Sequence, residues 1–192
     1  YLASLSTHTL PSGAPSLNST NYATAWITAN GTNETVSPLY DSISPVYRWV
    51  DNNTYVIFKQ VIYDSSNNIR WVAESPWRHQ VTSLSTRTIT QNYWCQYKNV
   101  VGVYIINDVS TFPNDVEIEY YQMNQQKYLY LGNGRRKEWA EIWADYNSQI
   151  TWKEEPYNDS QERWRIDDDA VNPETVTSYG NNWTKYYYHQ YY

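Results

Sequence analysis

Two glutamates near the middle of the chain have the residue type and spacing of a catalytic carboxylate pair. Glu117 and Glu119 alternate with apolar residues, which predicts a β-strand that carries both carboxylates on one face, about 7 Å apart. Glycosidases use carboxylates at comparable separations. The same alternation is typical of the solvated face of an antiparallel sheet. We favour this second interpretation, because such a face needs no catalytic reason to carry glutamate.

An acidic run and three histidines are the other groups with the chemistry of metal ligands. Asp167, Asp168 and Asp169 offer hard oxygen atoms of the kind that bind Ca²⁺. They lack the alternation and the turn glycine of a calcium loop, so the run favours a solvated turn. The three histidines lie far apart and form no zinc motif. We therefore predict neither a metal site nor a cofactor.

Nucleophile chemistry has little support in the sequence. The single cysteine, Cys95, lies among the aromatic residues Tyr93, Trp94 and Tyr97, which predicts a buried thiol. One cysteine also excludes an internal disulfide. No Gly-x-Ser-x-Gly motif occurs, although a Ser-His-Asp triad stays open because its members need not be close in sequence. The chain is accordingly predicted not to be an enzyme.

Asparagine supplies the most frequent candidate modification site. Six Asn-x-Ser/Thr sequons occur, and four of them lie within the first 52 residues. The acceptor residues are Asn18, Asn30, Asn33, Asn52, Asn158 and Asn182. Because acceptors must lie on accessible surface, this clustering predicts an N-glycosylated, exposed first third of the chain.

Charge and composition exclude two classes of partner. The 192 residues include 14 Lys+Arg and 20 Asp+Glu, with no basic cluster, so nucleic acid is not an expected partner. No apolar run approaches the roughly 18 residues of a membrane-spanning helix. The sequence begins at Tyr1 without methionine, which we interpret as a processed, exported chain. We therefore expect a secreted, extracellular protein.

The hydrophobic pattern predicts an all-β fold, with a β-sandwich or jelly-roll-like head. Residues 135–146 fit helical spacing as well as alternation, and we assign them as strand. Turns at residues 64–68 and 132–134 each predict a hairpin, and no repeat of 20 to 50 residues is recognisable. The predicted strands are residues 22–29, 46–50, 55–63, 69–74, 80–90, 92–97, 100–106, 116–123, 127–131, 137–143, 149–153, 163–166 and 183–191.

The first 20 residues differ from the rest of the chain. Residues 1–10 carry no charge apart from His8, can form a strand and supply apolar side chains, and residues 11–16 contain two prolines and a glycine. The apolar residues of the segment are Tyr1, Leu2, Ala3, Leu5 and Leu10. We predict an N-terminal arm and hinge over residues 1–20 and a β-sandwich head over residues 21–192.

This combination resembles the secreted filament subunits of archaea, of the thread and bundling-pilus type. The resemblance rests on the start Tyr1-Leu2-Ala3-Ser4-Leu5, the hinge at residues 11–15, the six sequons and the Tyr- and Trp-rich, disulfide-free head. It implies donor-strand complementation, in which the arm of one subunit completes the sheet of the next in a glycosylated helical homopolymer on the cell surface, used for adhesion or cell-cell contact.

Two alternatives remain open from the residues alone. The arm could instead fold back as the first strand of its own sandwich. The protein could also be a secreted glycan-binding or glycan- or peptide-hydrolysing β-sandwich, with Glu117 and Glu119 as its carboxylates.

Overall fold

The computed structural model describes residues 1–41, 44–82, 87–107 and 109–192, and over these ranges the chain consists of strands, turns and loops with no helix. The predicted all-β class is confirmed, and the arrangement in several sheets is compatible with a β-sandwich-like fold. Within those ranges there is accordingly no helix with the length and hydrophobicity of a membrane span.

The strands follow one another closely along the chain. Those of the first half are β1 (Leu2–Leu10), β2 (Ala23–Ala29), β3 (Thr32–Leu39), β4 (Val46–Trp49), β5 (Tyr55–Phe58), β6 (Val61–Tyr63), β7 (Ile69–Ala73) and β8 (Arg78–Gln80). The long strand β9 (Arg87–Ile105) follows. The second half contains β10 (Val116–Gln122), β11 (Gln125–Leu131), β12 (Lys137–Asp145), β13 (Gln149–Trp152), β14 (Tyr157–Asn158), β15 (Glu162–Ile166), β16 (Glu174–Thr175) and β17 (Asn182–Tyr191).

The chain divides into two compact units of equal length. Unit 1 is Tyr1–Gln96 and unit 2 is Tyr97–Tyr192. Strand β9 contains the boundary, so its first part belongs to unit 1 and its second part to unit 2. This division differs from the predicted arm (1–20) and head (21–192), which remains a prediction about the assembled protein.

Unit 1 contains two sheets. In the first, strands occur in the order β4, β1, β9, β7 and β6, with β1 antiparallel to β4 and parallel to β9. In the second, the order is β3, β2, β5 and β8. The buried residues Leu5 and Tyr93 come from the first sheet, and Ile27 and Phe58 from the second. The Tyr93 hydroxyl also donates to the Lys59 carbonyl, 2.6 Å away at the end of β5, which ties the two sheets together.

Unit 2 repeats this arrangement strand for strand. Its first sheet has the order β12, β9, β17, β15 and β14, and β9 is parallel to β17. Its second sheet has the order β11, β10, β13 and β16. The Tyr187 hydroxyl donates to the Lys153 carbonyl at 2.8 Å, as Tyr93 does to Lys59 in unit 1. Over the described residues each unit therefore has nine strands, counting its own part of β9, with the first and last side by side and parallel.

A turn cap shows how closely the two units correspond. In unit 1, the Asp51 carboxylate accepts the backbone N–H groups of Asn30 and Gly31, at 3.0 and 2.8 Å, in the turn between β2 and β3. In unit 2, the Asp145 carboxylate accepts those of Met123 and Asn124, at 2.8 and 2.7 Å, in the turn between β10 and β11. All four turn residues have a positive φ, as two-residue hairpins of type I′ require. An aspartate carboxylate thus caps the equivalent hairpin in each unit.

Several predicted strands and turns differ from the structure. Residues 92–97 and 100–106 were expected as separate strands, but 92–105 belong to the single strand β9, which ends at Ile105. The hairpin expected at residues 132–134 is wrong, because β11 pairs with β10 and β12 pairs with β9. Strand β3 was not predicted, because its exposed polar residues hide the alternation. The predicted strand at residues 80–90 falls partly on residues 83–86, which lie outside the described residues.

Other predictions are confirmed. The ambiguous segment 135–146 contains strand β12 and no helix. The turn at residues 64–68 joins the antiparallel strands β6 and β7. Cys95 is fully buried, as its aromatic neighbours indicated.

Candidate functional site: strand β1 and the exposed asparagines

Strand β1 occupies a central position in the first sheet of unit 1. On one side it pairs antiparallel with β4, from Leu2 opposite Trp49 to Leu5 opposite Val46. On the other side it pairs parallel with β9, from Ala3 opposite Arg87 to Leu10 opposite Trp94. The structure thus places the N-terminal strand in its own chain, the arrangement that the sequence left open as the alternative. Both edges of the strand are hydrogen-bonded, so its removal would leave a gap between β4 and β9.

Only some of the apolar residues predicted to face the core from residues 1–10 are fully buried. Ala3 and Leu5 have no exposed surface, whereas Tyr1, Leu2 and Leu10 are half-buried. Thr7 and Thr9 continue the inward-facing set and are buried. The sequence analysis overlooked these two threonines because they are polar.

A carboxylate stabilises the polar part of this strand. The Thr7 hydroxyl donates to Asp41 Oδ1 at 3.2 Å, and the Thr9 backbone N–H donates to Asp41 Oδ2 at 2.8 Å. The Thr9 hydroxyl also accepts the backbone N–H of Leu17 at 3.2 Å. Because a buried hydroxyl needs a partner, Asp41 allows a strand with only two fully buried apolar side chains to lie in a core position.

The segment after β1 is anchored to unit 1. Ala14 and Leu17 are buried within residues 11–22. The indole of Trp71 donates to the Pro15 carbonyl at 2.8 Å. The predicted hinge therefore packs on the body of unit 1 when β1 lies in its own chain.

All six sequon asparagines are exposed. Asn18, Asn30 and Asn52 lie in loops or turns, and Asn33, Asn158 and Asn182 lie in strands. The accessible surface that glycosylation requires is present at each of them. Their occupancy by glycans stays a prediction.

The candidate carboxylate pair lies on the outer face of the second sheet of unit 2. Val116 and Ile118 point into the core, so Glu117 and Glu119 share the opposite face, as their spacing predicted. The Tyr130 hydroxyl donates to Glu117 Oε2 at 3.1 Å. A hydrogen bond to Glu119 likewise raises the pKa of Tyr121. Both carboxylates thus act as acceptors for tyrosine hydroxyls on a sheet surface.

The acidic run after β15 forms a turn. The Ala170 backbone N–H donates to the Asp167 carbonyl at 2.9 Å, and Asp168 lies 3.0 Å from the Arg165 guanidinium. Among the described residues, no three His, Cys, Asp or Glu side chains are grouped as metal ligands.

Each unit also contains a polar pair that was not predicted, in which one side chain is buried and its partner is half-buried. In unit 1, His79 Nε2 lies 3.1 Å from Gln91 Oε1, and the His79 ring meets Phe58 edge to face. In unit 2, Lys185 Nζ lies 2.5 Å from Glu174 Oε1, and its ammonium group lies 4.9 Å from the centre of the Trp152 ring. Both pairs join the last strand of the unit to its eighth strand. A signal for such pairs is a Gln or Lys two residues before an inward-facing tyrosine, as Gln91 precedes Tyr93 and Lys185 precedes Tyr187.

No family model matches the chain, and no curated protein matches it. Among solved structures, it is similar to the Bacillus anthracis TIE protein, with 8% identity and a TM-score of 0.33 over 98% of this chain and 34% of that one. It thus spans about a third of that protein's length. The C-terminal fragment of the pilus adhesin SpaC from Lactobacillus rhamnosus GG is 7% identical, with a TM-score of 0.30 and coverage of 100% and 98%.

The major pilin T-13 of Streptococcus pyogenes is a further weak structural neighbour. It is 6% identical, with a TM-score of 0.27 and coverage of 98% of this chain and 96% of that chain. The weak neighbours thus include bacterial pilins and an adhesin domain. Likeness at these scores carries no functional conclusion.

Proposed function

We propose that this protein is a structural subunit of an extracellular, N-glycosylated, pilus-like filament. In the proposed filament, copies of the chain associate head to tail, and β1 of one copy fills the gap between β4 and β9 of the next. The role is mechanical and adhesive, with no chemical reaction. Its partners are further copies of the same chain, and its covalent additions are N-glycans.

One observation carries this proposal: β1 occupies a central position in its sheet, between β4 and β9. The twelve residues 11–22 separate it from the next strand, β2. Twelve residues span up to about 40 Å when extended. The strand can therefore leave its own sheet while the rest of unit 1 stays covalently intact.

Exchange of such a strand between copies conserves its interactions. A donated β1 makes the same backbone hydrogen bonds to β4 and β9, and Ala3 and Leu5 enter the same core positions. The cost is the release of residues 11–22 from contacts such as the bond between Trp71 and the Pro15 carbonyl. Because the exchange is head-to-tail, it does not close on itself and yields an open filament.

The exposed sequons support an extracellular location. All six acceptor asparagines are accessible, and the single buried cysteine leaves no disulfide to form outside the cell. Stability in that setting must then come from the core, the strand pairing and the intersubunit strand.

A cysteine-trapping experiment distinguishes donation from folding back. Ser4 lies directly opposite Tyr47 in the pairing of β1 with β4, a geometry that a disulfide can bridge. Chains carrying Ser4→Cys are mixed with chains carrying Tyr47→Cys, incubated at high concentration, oxidised and analysed by non-reducing electrophoresis. Donation predicts covalent dimers that contain one chain of each type. The double variant S4C/Y47C should form covalent ladders under assembly conditions.

Deletion of residues 1–10 supplies the matched test of assembly. The truncated chain should form no filaments in electron micrographs, and a peptide with the sequence of residues 1–10 should restore hydrogen-exchange protection in β4 and β9. A control peptide with Ala3→Asp and Leu5→Asp should not. Filaments formed by the truncated chain, or intrachain disulfides alone in the double variant at every concentration, would show that β1 is not donated.

A further inference from the structure

The outer face of the second sheet in unit 1 carries a small aromatic cavity. It has a volume of about 220 Å³ and is lined by Trp26, Ile27, Thr28, Asn33, Tyr55 and Ile57. Trp26 is 43% exposed and Tyr55 is 37% exposed, so both rings present surface to solvent. The cavity is smaller than the roughly 300 to 1,000 Å³ of pockets for drug-sized ligands, and it suits a group of the size of one sugar ring.

One of the lining residues is itself a glycosylation acceptor. Asn33 begins the sequon Asn33-Glu34-Thr35 and lies in β3, which pairs with β2 at the edge of its sheet as far as the chain is described. Thr28 lies opposite Asn33, and Trp26 lies opposite Thr35. Trp26 is therefore the diagonal neighbour of Asn33 on the same face, within reach of a large side chain or its substituent.

The carboxamide of Asn33 is oriented by this surface. The Thr28 hydroxyl donates to Asn33 Oδ1 at 3.1 Å. A glycan is attached through Nδ2, so this hydrogen bond is retained after modification. It restricts the rotation of the side chain and holds the attachment point beside the cavity.

We infer that the first sugar of a glycan on Asn33 packs into this cavity, against the ring of Trp26. A pyranose has a face of C–H bonds that suits an aromatic ring. Tyr55 and Ile57 line the cavity beside it, and the Arg78 guanidinium, 4.2 Å from the centre of the Tyr55 ring, adds hydrogen-bond donors for sugar hydroxyls. The occupant is thus a saccharide attached to the same chain. This inference rests on the N-glycosylation in the proposed function.

The equivalent surface of unit 2 shows that the arrangement is specific to unit 1. There the strand that corresponds to β2 carries Glu117 and Glu119, and the strand that corresponds to β3 carries Tyr128 and Tyr130. Neither strand carries a sequon. The combination of Trp26 with a sequon asparagine therefore has no counterpart on these two strands of unit 2.

The test combines one sugar with one aromatic side chain. The chain and its Trp26→Ala variant are produced in a secreting host that adds N-glycans, and the glycans are trimmed enzymatically to a single N-acetylglucosamine. Both are also produced without glycan in bacteria. Peptide mass spectrometry determines the occupancy of Asn33, and hydrogen exchange of β2 and β3 measures local stability. The sugar should raise protection by about 3- to 10-fold when Trp26 is present.

The same sugar should have little effect in the Trp26→Ala chain, whereas Trp26→Phe should retain most of the gain. Asn52→Gln serves as the control, because it removes an exposed glycan of the same unit that lies outside the cavity. An equal gain with and without Trp26 would overturn the packing inference and leave glycosylation intact. An unoccupied Asn33 in the native protein would overturn both at this site. Binding of free N-acetylglucosamine oligomers to the bacterial protein, with no gain from the attached sugar, would assign the cavity to an external saccharide.

Discussion

Units 1 and 2 have the same nine-strand arrangement but differ in charge. Unit 1 contains five basic and five acidic residues, whereas unit 2 contains nine basic and fifteen acidic residues, so the whole net charge of -6 belongs to unit 2. The shared contacts are those that fix the strand arrangement, such as the carboxylate of the hairpin cap and the tyrosine that joins the two sheets. The hairpin cap and the buried tyrosine therefore occur in both units although their net charges differ.

The polar pair between the eighth and last strands differs between the two units. His79 and Gln91 share a hydrogen bond between an imidazole and a carboxamide, whereas Glu174 and Lys185 form an ion pair. The ion pair lies beside Trp152, and the His79–Gln91 pair lies beside the smaller ring of Phe58. Equivalent positions thus carry a hydrogen-bonded pair in unit 1 and an ion pair in unit 2, and we expect the two pairs to contribute differently to the free energy of unfolding.

Breaking the ion pair should have the largest effect. Lys185→Met removes the ammonium group from a carboxylate that is only 22% exposed, which should destabilise unit 2 by about 3 kcal/mol, the lower end for a broken buried pair. Gln91→Met, which removes neutral hydrogen bonds to His79 and the Glu74 carbonyl, should cost unit 1 about 1 to 2 kcal/mol. Hydrogen exchange with mass spectrometry on the full chain measures each unit separately.

A double variant supplies the control for this prediction. Lys185→Met combined with Glu174→Leu removes both charges and should recover most of the lost stability, because no unpaired charge remains. If Lys185→Met and Gln91→Met were equally costly, the ion pair would contribute no more to stability than the hydrogen bond at the equivalent position.

Much of the secondary structure could be predicted because apolar and polar residues alternate along most of the strands. The pattern of Trp139, Glu141 and Trp143 correctly indicated the strand β12, where helical spacing was the competing signal. The six sequons could also be found, since a sequon is a local motif whose exposure follows from its polarity.

The repeated strand arrangement of the two units could not be predicted from the sequence. Equivalent residues keep no constant spacing, since Arg70 and Arg163 are 93 positions apart and Tyr93 and Tyr187 are 94 apart. The two arginines nevertheless make the same contact, donating at 2.8 and 2.7 Å to the side chains of Gln96 and Gln190. The two units thus share particular contacts without a regular spacing that would show the repeat in the sequence.

The pairing of β1 with β4 and β9 could not be predicted from the sequence either. The sequence indicates a strand in residues 1–10, but the strands beside it are set by pairing between distant segments. The buried threonines of β1 depend on Asp41, and nothing local identifies that residue as their partner.

The two hairpin caps can be compared by the stability that each unit loses when its aspartate is removed. Asp145 is 3% exposed, whereas Asp51 is half-buried. Asp145→Ala should therefore destabilise unit 2 by about 2 kcal/mol and Asp51→Ala should destabilise unit 1 by about 1 kcal/mol, because solvent can replace the lost acceptor more easily at the second site. Asp145→Asn and Asp51→Asn, which keep one acceptor oxygen, serve as milder controls. Equal losses from the two alanine variants would show that burial does not set the value of the cap.

The smallest effect expected is a response to alkaline pH that both units share. Burial raises the pKa of Tyr93 and of Tyr187 above the usual value of about 10. The unfolded chain therefore loses these protons first as the pH rises. Each tyrosine contributes stability that is fully present below about pH 10 and then declines, by about 1.4 kcal/mol per pH unit, until its folded-state pKa is reached.

Removing each hydroxyl should separate the two responses. Tyr93→Phe should abolish the alkaline decline of unit 1, at a cost near neutral pH of about 1 kcal/mol for the lost bond to the Lys59 carbonyl. Tyr187→Phe should leave a residual decline in unit 2. There, hydrogen bonds to Glu119, Glu117 and Asp159 also raise the pKa values of Tyr121, Tyr130 and Tyr157, respectively. Unit-resolved hydrogen exchange, compared at matched chemical exchange rates between pH 8 and pH 11, measures both declines.

An undiminished decline of unit 1 in the Tyr93→Phe chain would show that the alkaline response has another source. A complete loss of the decline of unit 2 in the Tyr187→Phe chain would show that the surface pairs of tyrosine and carboxylate do not distinguish it from unit 1.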